Sequence, residues 1–238
     1  GSDNTAIGKS ALFANTTGLY NVAIGASTLD ANTTGRFNTA VGASALGANT
    51  TGEYNVALGV YALDAQTTTN GNTAIGYSAL TSVVDTNFHT AVGFGALNST
   101  TSGTHNTAVG GYSGYSNTTG EANSSFGYSS FRINTTGEYN TSIGSYSLYN
   151  NTTANNNTAV GYYSLFANTT GTLNVAVGAL ALDANTEGGY NTAVGYGAGT
   201  ANTTSNHMVA VGTNALKFNT SGTQNTAVGS QCMQANTT

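Results

Sequence analysis

A glycine recurs at every seventeenth residue without a slip: Gly8, Gly25, Gly42, Gly59, Gly76, Gly93, Gly110, Gly127, Gly144, Gly161, Gly178, Gly195, Gly212 and Gly229. Fourteen such glycines at a period of 17 account for all 238 residues. Strict self-similarity over this length signals a repeat architecture, in which each unit buries its face against near-identical neighbours and does not fold alone. With Asn4 as position one, the consensus is Asn-Thr-Ala-Val-Gly-x-x-Ala-Leu-x-Ala-Asn-Thr-Thr-Gly-x-Tyr. Position three is Ala except at Ser125 and Ser142, and position four is always apolar (Ile7, Leu58, Phe126 and Val228 show the range). Position eight is always small. Position nine is Leu in ten repeats and Gly114, Phe131, Gly199 and Met233 in the others. A single array over 1–238, with no internal linker and forming part of a longer fibre, is the expected organisation.

Positions one to four alternate polar and apolar residues and are rich in β-branched types, which suits a short strand. The glycine at position five ends it, and a second extended stretch is expected over positions seven to eleven, carrying the Leu. Asn-Thr-Thr-Gly then reads as a turn, because Asn tolerates left-handed angles and Gly supplies positive φ. Helix is disfavoured: no apolar stripe with 3.6 periodicity lasts beyond one turn. Two short strands per repeat, stacked on identical neighbours, make an all-β fold, a β-solenoid or β-roll of fourteen 17-residue coils.

Charge placement separates the faces. Only 13 residues are Asp, Glu, Lys or Arg. They fall at position six (Lys9), ten (Asp30, Asp64, Arg132, Asp183, Lys217), fourteen (Asp85, Glu187), sixteen (Arg36, Glu53, Glu121, Glu138) and at Asp3. Charged groups are almost never buried unpaired, so these positions face water. The large aliphatics available to a core are at positions four and nine, two per repeat, which is thin against the entropy of ordering 17 residues. Identical chains sharing a core side by side would relieve that deficit; a monomeric solenoid whose Ala positions fill a narrow bore is the alternative.

Several functions are excluded or disfavoured. A net charge of −5 leaves no basic footprint for nucleic acid. No apolar run is long enough to span a membrane, and the opening Gly1-Ser2-Asp3-Asn4 lacks a signal peptide's basic and apolar segments. Cys232 is the only cysteine, so there is no disulfide framework, and beside Met233 it reads as a packed thiol. His89, His105 and His207 read as polar substitutions at a turn, without a second ligand at metal spacing. The Gly-x-Gly stretches at Gly93 and Gly195 lack the strand–helix context of a phosphate loop. No catalysis, metal or cofactor is expected. Ten Asn at position twelve form Asn-x-Ser/Thr acceptors such as Asn15-Thr16-Thr17, explained by the turn.

Two columns are candidates for binding. Thr stands at position thirteen in thirteen repeats and at position two in nine, a regularity also expected of an ice-binding solenoid. Aromatic residues recur at position seventeen (Tyr20, Phe37, Tyr54, Phe88, Tyr139, Tyr190), of which Tyr20, Phe37, Tyr54, Tyr139 and Tyr190 are the candidate ligand-binding residues. More aromatics stand at positions six and seven: Tyr61, Tyr77, Phe94, Tyr112, Tyr128, Tyr146, Tyr162, Tyr163 and Tyr196. Such rings either stack on sugars or seal neighbouring repeats and chains.

The stretches Asn38 to Leu46 and Asn157 to Leu165, Asn-Thr-Ala-Val-Gly-x-x-Ala/Ser-Leu, resemble the YadA-like head repeats of trimeric autotransporter adhesins, which also recur in bacteriophage tail fibres. The resemblance covers the whole chain, with a longer repeat than the family's and an added Asn-Thr-Thr-Gly turn. It implies a homotrimeric left-handed parallel β-roll, extracellular on a cell surface or virion fibre. The implied role is a rigid stalk or head that attaches to a host-surface glycan or matrix protein.

Overall fold

The computed structural model describes residues 1–84 and 86–237; Asp85, expected to face water, lies outside them. The chain forms two compact units, Gly1–Thr119 and Gly120–Thr238. Each holds seven three-residue strands, one per repeat. They are numbered in chain order from β1 (Thr5–Ile7) to β7 (Thr107–Val109) in the first unit and from β8 (Ser124–Phe126) to β14 (Thr226–Val228) in the second. Within each unit every strand pairs in parallel with the next, one repeat along: Ala40 opposes Ala57, and Ala159 opposes Ala176. The described residues contain no helix, and the fold is an all-β solenoid.

In a three-residue strand the middle side chain faces opposite to its two neighbours, and here it is the middle one that turns inward. The Ala at position three takes that place, fully buried at Ala23, Ala40, Ala57 and their counterparts. Positions two and four therefore point out. Position four was available to a core, yet Ile75 is 38% exposed and Ile143 41%. Only the Leu at position nine enters the bore, where Leu29, Leu46, Leu63 and Leu80 are buried with the small residues of position eight.

The second expected strand is absent. Positions seven to eleven are successive turns, because position seven and position nine both hold the left-handed backbone conformation: φ is 54° at Ser44 and 52° at Leu46. Position seventeen does the same (Tyr54, φ 60°), giving 37 non-glycine residues of positive φ among the described residues. Left-handed angles cost an L-residue about 1–2 kcal/mol. They persist here because the turns still bond coil to coil. The Ser27 N–H donates to the Lys9 carbonyl at 2.9 Å, the Leu29 N–H to Ala45 at 3.1 Å and the Ala31 N–H to Gly47 at 3.2 Å.

The expected Asn-Thr-Thr-Gly turn is used differently. Neither the Asn at position twelve nor the Gly at fifteen has positive φ among the described residues. The glycine gives close approach instead: a Cβ on Gly35 would lie 2.5 Å from the Gly52 carbonyl oxygen and 3.0 Å from Asn49 Nδ2. The glycine at position five combines both demands. Gly42 has φ +131°, and a Cβ there would meet the Gly59 carbonyl carbon at 2.6 Å.

Polar groups fill the remaining interior. Asn at position one is buried, and its Oδ1 accepts the main-chain N–H of position one in the next coil, as from Asn38 to Asn21 at 3.0 Å. Its Nδ2 donates to a position-fifteen carbonyl, as Asn21 does to Gly35 at 2.8 Å. Asn at position twelve forms a second column, with Asn32 Nδ2 to Asn15 Oδ1 and Asn49 Nδ2 to Asn32 Oδ1 both at 2.9 Å. Where Ser replaces Ala at position three, hydroxyls substitute for methyl contacts: Ser142 Oγ lies 2.7 Å from both Ser130 Oγ and Ser147 Oγ. The charged side chains described are exposed or half-buried; those at position ten are half-buried, and Asp183 Oδ1 is sealed from solvent without a hydrogen bond.

The bore sets what each position tolerates. Ala108 is fully buried. Ala108→Asp is therefore expected to abolish cooperative thermal unfolding, while Thr81→Asp, at a position where other coils carry Asp, should melt within about 0.5 kcal/mol of the parent. Met208 replaces Asn at position one in the coil after Gly199 replaces Leu at position nine, and a Cβ on Gly199 would sit 2.6 Å from Met208 Cε. The Met thus fills the missing Leu's space. Gly199→Leu alone is expected to cost about 1–3 kcal/mol by overpacking. Adding Met208→Asn should recover most of it, visible as a coupling energy of about 1 kcal/mol or more in a denaturation cycle.

Candidate functional site

The solenoid offers surfaces, not clefts. Among the described residues there is no pocket and no group of three His, Cys, Asp or Glu residues able to hold a metal. Cys232 is a half-buried free thiol against the interior of the second unit.

The candidate residues at position seventeen form stacks. In the first unit Tyr20 and Phe37 lie 5.1 Å apart at 9° between planes, and Phe37 and Tyr54 lie 5.2 Å apart at 5°. In the second, Tyr190 and His207 stack at 5.0 Å and 2°. Tyr139, between Ala122 and Asn156 in the column, has no ring neighbour among the described residues. Each ring projects from a left-handed residue whose N–H bonds the preceding coil, as Tyr54 does to Arg36 at 3.1 Å. Near-parallel rings at this distance cover one another's faces and leave their edges to solvent. A sugar needs a free face, so Phe37, between two rings, has none to offer. His105 belongs to the same column, 5.8 Å from Phe88.

The aromatics at positions six and seven behave differently, because the turn at positions seven to nine brings position ten against position seven. Tyr146 contacts Tyr149 at 5.8 Å, and Tyr163 contacts Phe166 at 4.5 Å. Tyr162 lies 4.4 Å from Tyr163 at 56°, and Tyr146 lies 5.1 Å from Tyr163 at 41°. Tyr128 meets Tyr146 edge-on at 76°. The phenol of Tyr163 is held above its ordinary pKa, first by loss of hydration among these rings and then by its neighbour Tyr162. Sequence reasoning missed Tyr149 and Phe166; the signal was aromatic residues at position ten, a place charged or polar in most other coils.

The Thr column at position thirteen is committed internally. Thr16, Thr33 and Thr50 each donate Oγ1 to the main-chain carbonyl of the next Thr at 3.0 Å. Thr135 does the same to Thr152 at 3.0 Å.

His89 lies in the interior, not at an exposed turn. It replaces Asn at position one and is 1% exposed. Its Nδ1 accepts the Asn106 N–H at 3.3 Å, and its Nε2 lies 3.0 Å from the Thr86 hydroxyl. Desolvation lowers its pKa to about 4. The amide column fails beside it, where position twelve carries Val83 and Thr100 and the buried Thr100 Oγ1 has no partner.

Compared with known proteins, the chain matches no family model, no curated relative and no solved structure.

The lowered histidine pKa makes stability depend on acid. The unfolded chain takes up this proton near pH 6.5 and the folded chain only near 4. Between those values the unfolded state binds more protons, so stability is complete above about pH 6.5 and falls as the pH drops toward 4, by up to roughly 3 kcal/mol. His89→Asn is expected to flatten this slope in urea denaturation measured across that window.

Proposed function

We propose that the chain is a structural and adhesive segment of a fibre on a cell surface or virion, in which copies pack side by side as a homotrimer of left-handed parallel β-rolls. One observation carries this reading: in each unit the outer face of the sheet is two rows without charge. Position two is Thr, Val or Ser and position four is aliphatic or Phe in every repeat. Both rows point away from the bore, and Ile24, Leu58 and Phe126 are each more than a third exposed. Contiguous exposed apolar rows mark interaction surfaces. Mostly β-branched side chains lose little rotamer freedom on docking, and rows repeated at each coil match the same rows on another copy. The resemblance to YadA-like head repeats supplies the number three, the surface location and the adhesive role. The reading assigns no catalysis and no cofactor.

Sedimentation equilibrium is expected to return three times the chain mass of 23.9 kDa. Ile75→Asp, on the outer row, should lower that mass while leaving the β-sheet circular dichroism unchanged. A parent mass of a single chain would overturn the side-by-side reading. A monomer that also showed thermal hysteresis on ice would favour the rival reading, a monomeric ice-binding solenoid built on the outward Thr column of position two.

A further inference from the structure

Three of the fourteen repeats carry aromatic residues at both position seven and position ten, and only those beginning at Asn140 and Asn157 are adjacent. The third, beginning at Asn106, holds Tyr112 and Tyr115, but its neighbours at position ten are Asn98 and Arg132. The two successive pairs cost something. Tyr146 and Tyr163 hold left-handed φ of 60° and 57°, where many other coils place Ser or Gly. Tyr149 and Phe166 occupy the position that five other coils give to a charge (Asp30, Asp64, Arg132, Asp183, Lys217) and five to Gly, Thr, Asn or Gln. Neither pair is needed by the bore, which the neighbouring Leu148 and Leu165 already fill.

We propose that Tyr128, Tyr146, Tyr149, Tyr162, Tyr163 and Phe166 form a platform for an uncharged glycan, bound through the apolar faces of its pyranose rings. The proposal deepens the adhesive half of the function above and rests on it. Ring orientation is the first argument. At position seventeen the runs Tyr20–Phe37–Tyr54 and Tyr190–His207 stack within 9° and 2°, and so cover the faces between their rings. In the platform Tyr149 and Phe166 stack at 23°, but the other planes are inclined at 41°, 56° and 76°, so the group does not close into one stack. Tyr162 is 55% exposed and Tyr128 48%, while the remaining four rings are half-buried. Chemistry is the second. Tyrosine gives a rigid face for sugar C–H groups and a hydroxyl for sugar oxygens, at the entropic cost of two torsions. Charge is the third. Along position ten the rings Tyr149 and Phe166 are flanked by Arg132 in the coil before and Asp183 in the coil after, with no acidic or basic residue between those two in the column. One charge of each sign bounds the rings, so a sulfated or carboxylated sugar meets no net counter-charge, whereas an uncharged one forfeits none.

The test is calorimetric titration of the whole chain with cellohexaose and with mannohexaose, and with a heparin-derived hexasaccharide as the anionic comparison. Binding to at least one neutral hexasaccharide and none to the anionic one is expected. Tyr146→Ser combined with Tyr163→Ser installs the residue that Ser129 already supplies at position seven, so folding is preserved, and it should raise Kd by about tenfold or more. Tyr54→Asn, which places at position seventeen the residue that Asn156 already supplies there, should leave Kd unchanged. No binding to either neutral sugar, preference for the anionic one, or indifference to the double variant would each overturn the platform. So would a fall in solution mass in the double variant, since the rings would then be a contact between copies. A threefold chain mass without sugar binding would remove the platform and leave the fibre reading standing.

Discussion

Two columns of side-chain amides run inside each unit, and a buried amide has to be met by another group placed one repeat along. Asn21 illustrates the constraint. Its oxygen takes the Asn38 N–H and its nitrogen serves the Gly35 carbonyl, while its own N–H is taken by Asn4. A slip of one residue would strand every such group at about 1–3 kcal/mol each. The penalty accumulates along the column, which is why the period never varies although individual positions do. The parallel strands alone would not enforce this, since three residues per coil specify register weakly. Gln66 shows the tolerance of the rule: one methylene longer than Asn, it still reaches Asn49 Oδ1 at 3.3 Å and the Thr69 carbonyl at 2.9 Å.

How much of this was legible follows from what each position obeys. The coil repeat and the strand at positions two to four were readable, because they follow from period and alternation. Which face turns inward was not, since the large aliphatic of position four was the expected core residue and the Ala of position three takes the bore instead. The stretch carrying the Leu was misread as a strand. Leu46 and Tyr61 sit at left-handed angles that local preference assigns to Gly or Asn, and only the hydrogen bonds of the stacked coil hold them there. The same geometry hid the contact of Tyr146 with Tyr149, since positions seven and ten of a strand would face opposite sides. Asn at position twelve was legible as a polar residue of restricted type but not as core, because composition cannot show that two amides will satisfy each other.

A bore so narrow couples substitutions that are far apart in sequence. Ser142 succeeds where Ala is the rule because Ser130 and Ser147 provide partners. Met208 succeeds because Gly199 vacates the volume of a Leu. His89 is the imperfect case. It keeps the hydrogen bond to the Asn106 N–H, yet the neighbouring Thr100 hydroxyl goes unmet and the ring stays neutral well into acid. Variation inside is therefore compensated locally or leaves a weak coil, whereas variation outside is free of that constraint.

That freedom bears on where a ligand is recognised. A perfectly regular array presents the same surface at every step and can distinguish nothing along its length except the step itself. Regular features accordingly serve regular ends: the amide columns fix register, the position-thirteen hydroxyls tie coil to coil, and the uncharged outer rows suit contact with another such array. Discrimination has to come from departures. Where rings succeed one another at position seventeen, as from Tyr20 to Tyr54, they are a departure that closes on itself, the inner faces covering one another. The inclined rings around Tyr163 do not close, because two kinds of position contribute to them and no single plane suits both. Rings half exposed to water at positions that other coils give to Ser, Gly, Thr, Asn or a charge carry a solvation cost that a flat, uncharged partner would relieve.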